Sequence, residues 1–287
     1  MDFAAHFRRE VRAFHDAATR AAGTGDAPSV PSCPGWSMSD LVFHLGGVHR
    51  GVHVIIKDQL KGPPDLAMLA ATELPGGTAG LPDTADTADT VDTAGRAGAA
   101  GLPEGWPVPD QAPNFGPIPP TLLDWFAEGA DRLERQFRER RADEPAWTWS
   151  EEQTVGFWQR MQTIEAAIHR WDAENALNTA GPIADEVAVD AISQTFEVMA
   201  PARRSWGQAP PGAGERYRFR RTDGPGEWVV CFDGRHVRVG DGEADVELAG
   251  TASDLMLFLW HRIPADGLDI QGDKTLLDRY FVLVPPI

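Results

Sequence analysis

Apolar residues recur at helical spacing from the start of the chain. Phe3, Phe7, Val11 and Phe14 make one stripe on a helix of about twenty residues, which Gly23 and Gly25 end. After the turn SVPSCPGWSMSD, Ser37 with Asp40 three residues later reads as an N-cap and capping-box pair opening a second helix that runs to about Leu60. Residues 62 to 119 lose this period. Gly, Pro, Ala, Thr and Asp dominate there, and near-identical triplets (DTA, DTA, DTV, DTA) run from Asp83 to Ala94. Such a stretch buries too little apolar surface to offset its ordering entropy, so it reads as a long mobile insertion. Trp106 and Phe115 in its second half are placed to pin the returning chain over the helices, a position that suits an active-site lid. Thr121 and Asp124 repeat the capping pattern before a third helix that buries Leu122, Trp125, Phe126, Leu133 and Phe137 and ends on the basic run RERR. A fourth spans about Thr154 to Asn178. Four helices with one long connection fit an antiparallel bundle.

Beyond a fifth helix near Asp185 to Met199 the period changes to two. RYRFR, EWVVCF, RHVRVG and ADVELAG alternate between Gly-containing turns and predict a small antiparallel sheet. Thr251 and Asp254 cap a further apolar helix, and LDIQGD with KTLLDRYF adds a short strand and a last helix. The expected organisation is a two-domain α+β chain. Residues 1–180 form a helical bundle interrupted at 62–119, and residues 181–287 form a small antiparallel-sheet α+β domain.

Composition narrows the partners. With 42% apolar and 24% charged residues over 287 positions the chain can build sizeable cores, and a formal net charge of −17 repels phosphate backbones and anionic lipid. Neither nucleic acid nor a membrane is expected as a partner. The N-terminus mixes charges into its apolar period, unlike a signal segment, and a cytoplasmic location is expected. The two cysteines, Cys33 and Cys231, form neither a disulfide framework nor a CxxC site, and each reads as a small buried apolar residue.

Helical geometry sorts the histidines, because each residue advances by about 100°. His44 falls in the middle of the second helix's apolar stripe, beside Leu41, Val48, Gly51, Val52 and Ile55. His49 and His53 fall opposite, with Arg50 and Lys57, and read as a solvated face even though their spacing of four could hold a metal. On the fourth helix Glu165, His169 and Asp172 share a face with Trp158, Met161 and Ile168, while Ala167, Arg170 and Glu174 lie on the far side. Polar groups on an apolar face must be satisfied by something. One reading is a structural network in which His44, Glu165, His169 and Asp172 hydrogen-bond one another. The other is a divalent metal site with His44, Glu165 and His169 as ligands, one position open for catalysis, and Asp172 fixing the tautomer of an imidazole. Zinc is the first expectation for such a set, with Mn, Ni, Co and Fe as alternatives.

The same residues carry a family resemblance. VPSCPGWSMSDLVFHLGGVHR and IEAAIHRWDAENAL resemble the mycothiol-dependent maleylpyruvate isomerase family, among the DinB-like metal-binding four-helix bundles. ADVELAGTASDLMLFLWHR, followed by LDIQGD, resembles the small C-terminal α+β domain usual there. The resemblance implies a metal on His44, Glu165 and His169. It also implies mycothiol, the small thiol of actinobacteria, as cosubstrate for isomerising, or transferring sulfur to, a small-molecule electrophile. A divalent cation lowers the pKa of a coordinated thiol enough for such chemistry. The insertion at 62–119 departs from the compact family pattern. Trp36 and Trp171 read as packing residues. Arg50 is a candidate for the thiol's polar groups, against its reading as a solvated-face residue. Two other functions stay open: a metal hydrolase in which Asp172 helps move protons, and a non-catalytic binding protein whose metal only stabilises the fold.

Overall fold

The computed structural model describes residues 1–65, 73–74 and 102–286, so the DTA triplets lie outside the described residues. The chain divides into two compact units, Met1–Gly181 and Pro182–Ile287. No helix among the described residues is long and apolar enough to cross a membrane.

Four long helices of the described residues build the first unit: α1 (Phe3–Ala22), α2 (Met38–Lys57), α3 (Pro120–Glu139) and α4 (Val155–Ala176). Phe7 and Phe14 of α1 are fully buried, and Glu10 beside them meets Arg170 of α4 through a 3.0 Å ion pair, both side chains being buried. Arg170 and Ala167 are therefore interior, because α1 packs on the side of α4 that the helical period marks as the far face.

Helix α2 opens with a full capping box. The Ser37 hydroxyl accepts from the Asp40 N–H while the Asp40 carboxylate takes the Ser37 N–H. Asp40 also accepts from Asn114 Nδ2 at 2.5 Å, which ties the returning segment to the helix start. Trp106 is buried there and Phe115 is 49% exposed, so of the two aromatics only Trp106 anchors this segment. Trp106 Nε1 donates to Thr121 Oγ1 at 3.0 Å. Thr121 consequently does not cap α3. That helix starts from Pro119 and Pro120, where a missing N–H costs nothing.

Helix α2 is buried nearly all round, which overturns the solvated face expected for His49, His53 and Arg50. His49 is 0% and His53 9% exposed. Close approach of α2 to α3 is the cause. Gly46 leaves room for the Trp125 indole, and a Cβ there would lie 2.3 Å from Trp125 Cζ3. Arg50 stacks its guanidinium 4.8 Å from the Trp125 ring centroid and pairs with Glu73 at 2.6 Å and Glu128 at 3.3 Å. Its charge is committed inside the fold.

In the second unit α5 (Asp185–Gln194) runs through a π-helical turn, Thr195–Met199, into α6 (Ala200–Trp206). The wider turn precedes Pro201, which cannot donate to a regular helical ladder. Five strands follow: β1 (Gly212–Arg221), β2 (Glu227–Gly234), β3 (His236–Gly240), β4 (Val246–Gly250) and β5 (Asp269–Gly272). Helix α7 (Ala252–Leu259), capped by Thr251, precedes β5, and α8 (Leu276–Leu283) follows it. The sheet order is β3-β2-β1-β4-β5, with β4 parallel to β1. The sheet is mixed, which corrects the expected all-antiparallel sheet. After the β2–β3 hairpin the chain crosses the polar side of the sheet to reach the free edge of β1. Arg216 holds that crossing through the Asp241 and Glu243 carbonyls, and Arg218 through that of Gly242. Tyr217, Phe219, Phe232 and Leu248 are fully buried in the core of this unit.

Candidate metal centre

Two helices and one turn converge in the first unit. His44 comes from the first third of α2, and Glu165, His169 and Asp172 from successive turns of α4, where spacings of four and three keep them on one face. His44 Nε2 lies 3.6 Å from Glu165 Oε1, and the His44 and His169 rings meet edge to face at 5.2 Å. One ligand atom from each of His44, Glu165 and His169 falls within 4.8 Å of the others. Asp172 is fully buried, and its Oδ2 is 2.9 Å from His169 Nδ1. An ionised carboxylate only accepts, so Nδ1 carries the proton and Nε2 presents its lone pair.

The turn at 30–36 completes the wall. Gly35, at φ +84°, closes it where a side chain would be strained. Ser32 Oγ donates to Asp172 Oδ1 at 2.6 Å, and Cys33 Sγ donates to Oδ2 at 3.4 Å. Trp36 meets His44 with ring centroids 4.8 Å apart and the planes tilted by 56°, so it packs directly on a candidate ligand, whereas Trp171 is buried as packing. Gln162 Nε2 donates to Glu165 Oε2 at 2.7 Å, leaving Oε1 toward His44. Burial pushes the Glu165 carboxyl up, but the His44 imidazole and the His169 and His49 rings outweigh it and hold Glu165 below the usual carboxylate range. Glu165 is thus an anionic donor at neutral pH.

These donors fit a borderline divalent cation: two imidazoles and one carboxylate from facing helices, with a His44–Glu165 separation of 3.6 Å that bonds of about 2.0–2.2 Å to a common ion would set. The model of the mycothiol maleylpyruvate isomerase N-terminal domain matches residues 4–174, and that of the MDMPI C-terminal domain matches residues 186–279. The chain belongs to the mycothiol maleylpyruvate isomerase family, a family of enzymes. Two solved structures resemble it over 94% of this chain and 92% of theirs. One is the crystal structure of the mycothiol-dependent maleylpyruvate isomerase, at 14% identity and a TM-score of 0.51. The other is a histidine-to-alanine mutant of that isomerase, at 15% and 0.52. At such identities the likeness concerns the fold. No curated protein matches the chain.

Within this isomerase-family fold the structure brings together all four residues singled out on α2 and α4. Arg50 is not at the centre, being held by Trp125, Glu73 and Glu128. Ser32, Cys33 and Gln162 were not foreseen there. Cys33 is half-buried and hydrogen-bonded to Asp172, which corrects its reading as an apolar filler. Its position in an irregular turn between two prolines carries no period, so only the neighbouring PGW run marked the segment.

Proposed function

We propose that the chain is a metal-dependent enzyme that uses a small thiol, mycothiol, to isomerise or S-conjugate a small electrophile. His44, Glu165 and His169 would hold the cation, with zinc favoured by the two imidazoles and one carboxylate. Bound there, a divalent cation supplies a lowered thiol pKa, so that a thiolate persists at neutral pH. The protein's own groups do the positioning. Asp172 keeps His169 in one tautomer, Ser32 keeps Asp172 in place, and Gln162 orients Glu165. Trp36 and the apolar face of α4 limit water around the reacting sulfur. Addition of the thiolate to a conjugated double bond forms an S–C bond as the C=C π pair moves onto the conjugated acceptor, from which it returns when the thiolate is expelled or takes up a proton when the adduct is kept. Rotation and expulsion of the same thiol gives the isomer, and release of the adduct gives the conjugate.

The convergence of three ligand atoms within 4.8 Å, in a chain of this family, carries the reading. The test pairs metal content by mass spectrometry with calorimetric titration of mycothiol into wild type and His169→Ala. The expected result is one equivalent of metal in wild type as purified, with metal and thiol binding both lost in the variant. Metal-free protein that stays folded and ignores added zinc would overturn the proposal, as would a full equivalent of metal retained in both His44→Ala and His169→Ala.

A further inference from the structure

His169 belongs to two ligand clusters. Besides His44 and Glu165, its ring lies with Cys33 and Asp172, where one ligand atom from each residue again falls within 4.8 Å of the others. Asp172 Oδ2 is the hub, 3.4 Å from Cys33 Sγ and 2.9 Å from His169 Nδ1. Hydrogen bonds bridge these atoms, and a cation between the three donors would displace both bridging protons. We propose that Cys33, His169 and Asp172 form a second cation site, selective for thiophilic divalent ions, that shares the His169 imidazole with the site formed by His44 and Glu165.

The chemistry follows from the donors. A thiolate, a ring nitrogen and a carboxylate oxygen suit zinc, cadmium or cobalt, while magnesium and calcium prefer an all-oxygen shell. Bonds of about 2.3 Å to sulfur and about 2.0–2.2 Å to nitrogen and oxygen set donor separations of about 3.3–3.7 Å. The Cys33–Asp172 distance of 3.4 Å already matches, and the His169–Asp172 distance of 2.9 Å must open slightly. Binding expels the thiol proton to solvent and takes the proton off Nδ1, to Nε2 when the first site is empty and to solvent when Nε2 is already a ligand, so uptake tightens as pH rises. Ser32 stays on Asp172 Oδ1 and keeps the carboxylate in place while Oδ2 changes partner. The sharing has a consequence. An ion here takes Asp172 Oδ2 away from the proton that fixes His169, so excess thiophilic metal acts on the neighbouring site through one imidazole.

The inference rests on the proposed function only for the role of His169 in the first site. Cobalt(II) titration of the whole, chelator-stripped chain tests the two separately, because thiolate coordination gives a sulfur-to-cobalt charge-transfer band in the near ultraviolet. Wild type is expected to bind two equivalents, with the charge-transfer band present at saturation. Cys33→Ser should bind one equivalent without the band and keep the first site's visible absorption. His44→Ala should keep the band while losing that first-site absorption. Wild type without the band at saturating cobalt, or with a band that survives in Cys33→Ser, would overturn the second site. A band in wild type with first-site absorption unchanged in His44→Ala would instead defeat the first-site assignment and leave the second standing.

Discussion

Replacing His49 with Leu tests how the bundle interior handles an imidazole one and a half turns beyond His44. His49 is fully buried between Phe7, at 5.0 Å, and Phe126, at 5.6 Å, and neither ring nitrogen has a hydrogen-bond partner. Burial drives its pKa from 6.5 to about 3, against the pull of the Glu165 carboxylate and with help from the His169 and His44 rings. Above pH 6.5 the ring is neutral in folded and unfolded chain alike and stability does not change. Below it the unfolded chain takes up a proton that the folded chain refuses, so stability falls as pH drops from 6.5 toward 3. The slope approaches about 1.4 kcal/mol per pH unit, which makes the step from pH 7 to pH 5 worth about 2 kcal/mol. His261, lowered to about 4, and His53, also lowered, act in the same direction but are present in both proteins. The difference between wild type and His49→Leu therefore isolates His49. Urea unfolding at several pH values, with chelator present so that no cation contributes, should show the variant losing about 2 kcal/mol less than wild type between pH 7 and pH 5. At pH 7 the variant should be at least as stable, because two unpaired buried nitrogens, each costing about 1–3 kcal/mol, are gone. Parallel pH curves for the two proteins would refute the reasoning and mean that the native ring reaches water or a partner.

Other changes probe the centre and the helix contacts. Asp172→Asn should weaken cation binding about 10- to 100-fold, because the amide is a poorer partner for His169 Nδ1, as read by competition with a chromophoric chelator. Gly46→Ala drives a methyl group to 2.3 Å from the Trp125 ring and should cost about 1–3 kcal/mol by urea unfolding, and an unchanged midpoint would mean that α2 and α3 separate freely. Glu73→Gln leaves the buried Arg50 charge with only the exposed Glu128 and should cost about 3 kcal/mol. No loss there would show that Trp125 and Glu128 suffice for Arg50.

Periodicity carried the parts of the fold in which one face alone meets the core. The α1 stripe and the capping of α2 by Ser37 and Asp40 could be read directly, since each depends on residues within a few positions of one another. The reading of α2 beyond His44 failed because a moment calculation assumes one solvated face. This helix has none to spare: α1, α3 and α4 cover it, and Arg50 enters the interior with Glu73, a residue inside the stretch that read as a mobile insertion. The parallel β1–β4 pair escaped for a different reason. Alternation gives the two faces of a strand but not its neighbour, and the crossing that brings β4 to β1 is held by arginines on the polar face. In the centre, Glu165, His169 and Asp172 could be aligned because all three lie on one helix. Ser32 and Cys33 reach them from some 140 residues away in sequence, through a turn without a repeat.

The geometry also bears on the two explanations that the residue pattern left open, and it supports the proposed metal site. In a purely structural network each polar atom would be satisfied by another within the set. Asp172 behaves that way, since Ser32, Cys33 and His169 between them address both of its oxygens. The pair in front of it does not. His44 Nε2 and Glu165 Oε1 face each other at 3.6 Å, beyond a normal hydrogen bond, although both belong to partly buried side chains for which closing the gap would be favourable. Atoms that share a tetrahedral cation are instead kept about 3.3–3.6 Å apart by bonds of about 2.0–2.2 Å, and their mutual repulsion opposes anything shorter. Gln162 ties back Glu165 Oε2, and Asp172 ties back His169 Nδ1. Hydrogen bonds thus hold Glu165 Oε2 and His169 Nδ1 while Glu165 Oε1 faces His44 Nε2, which is the orientation the proposed first site asks of its ligands.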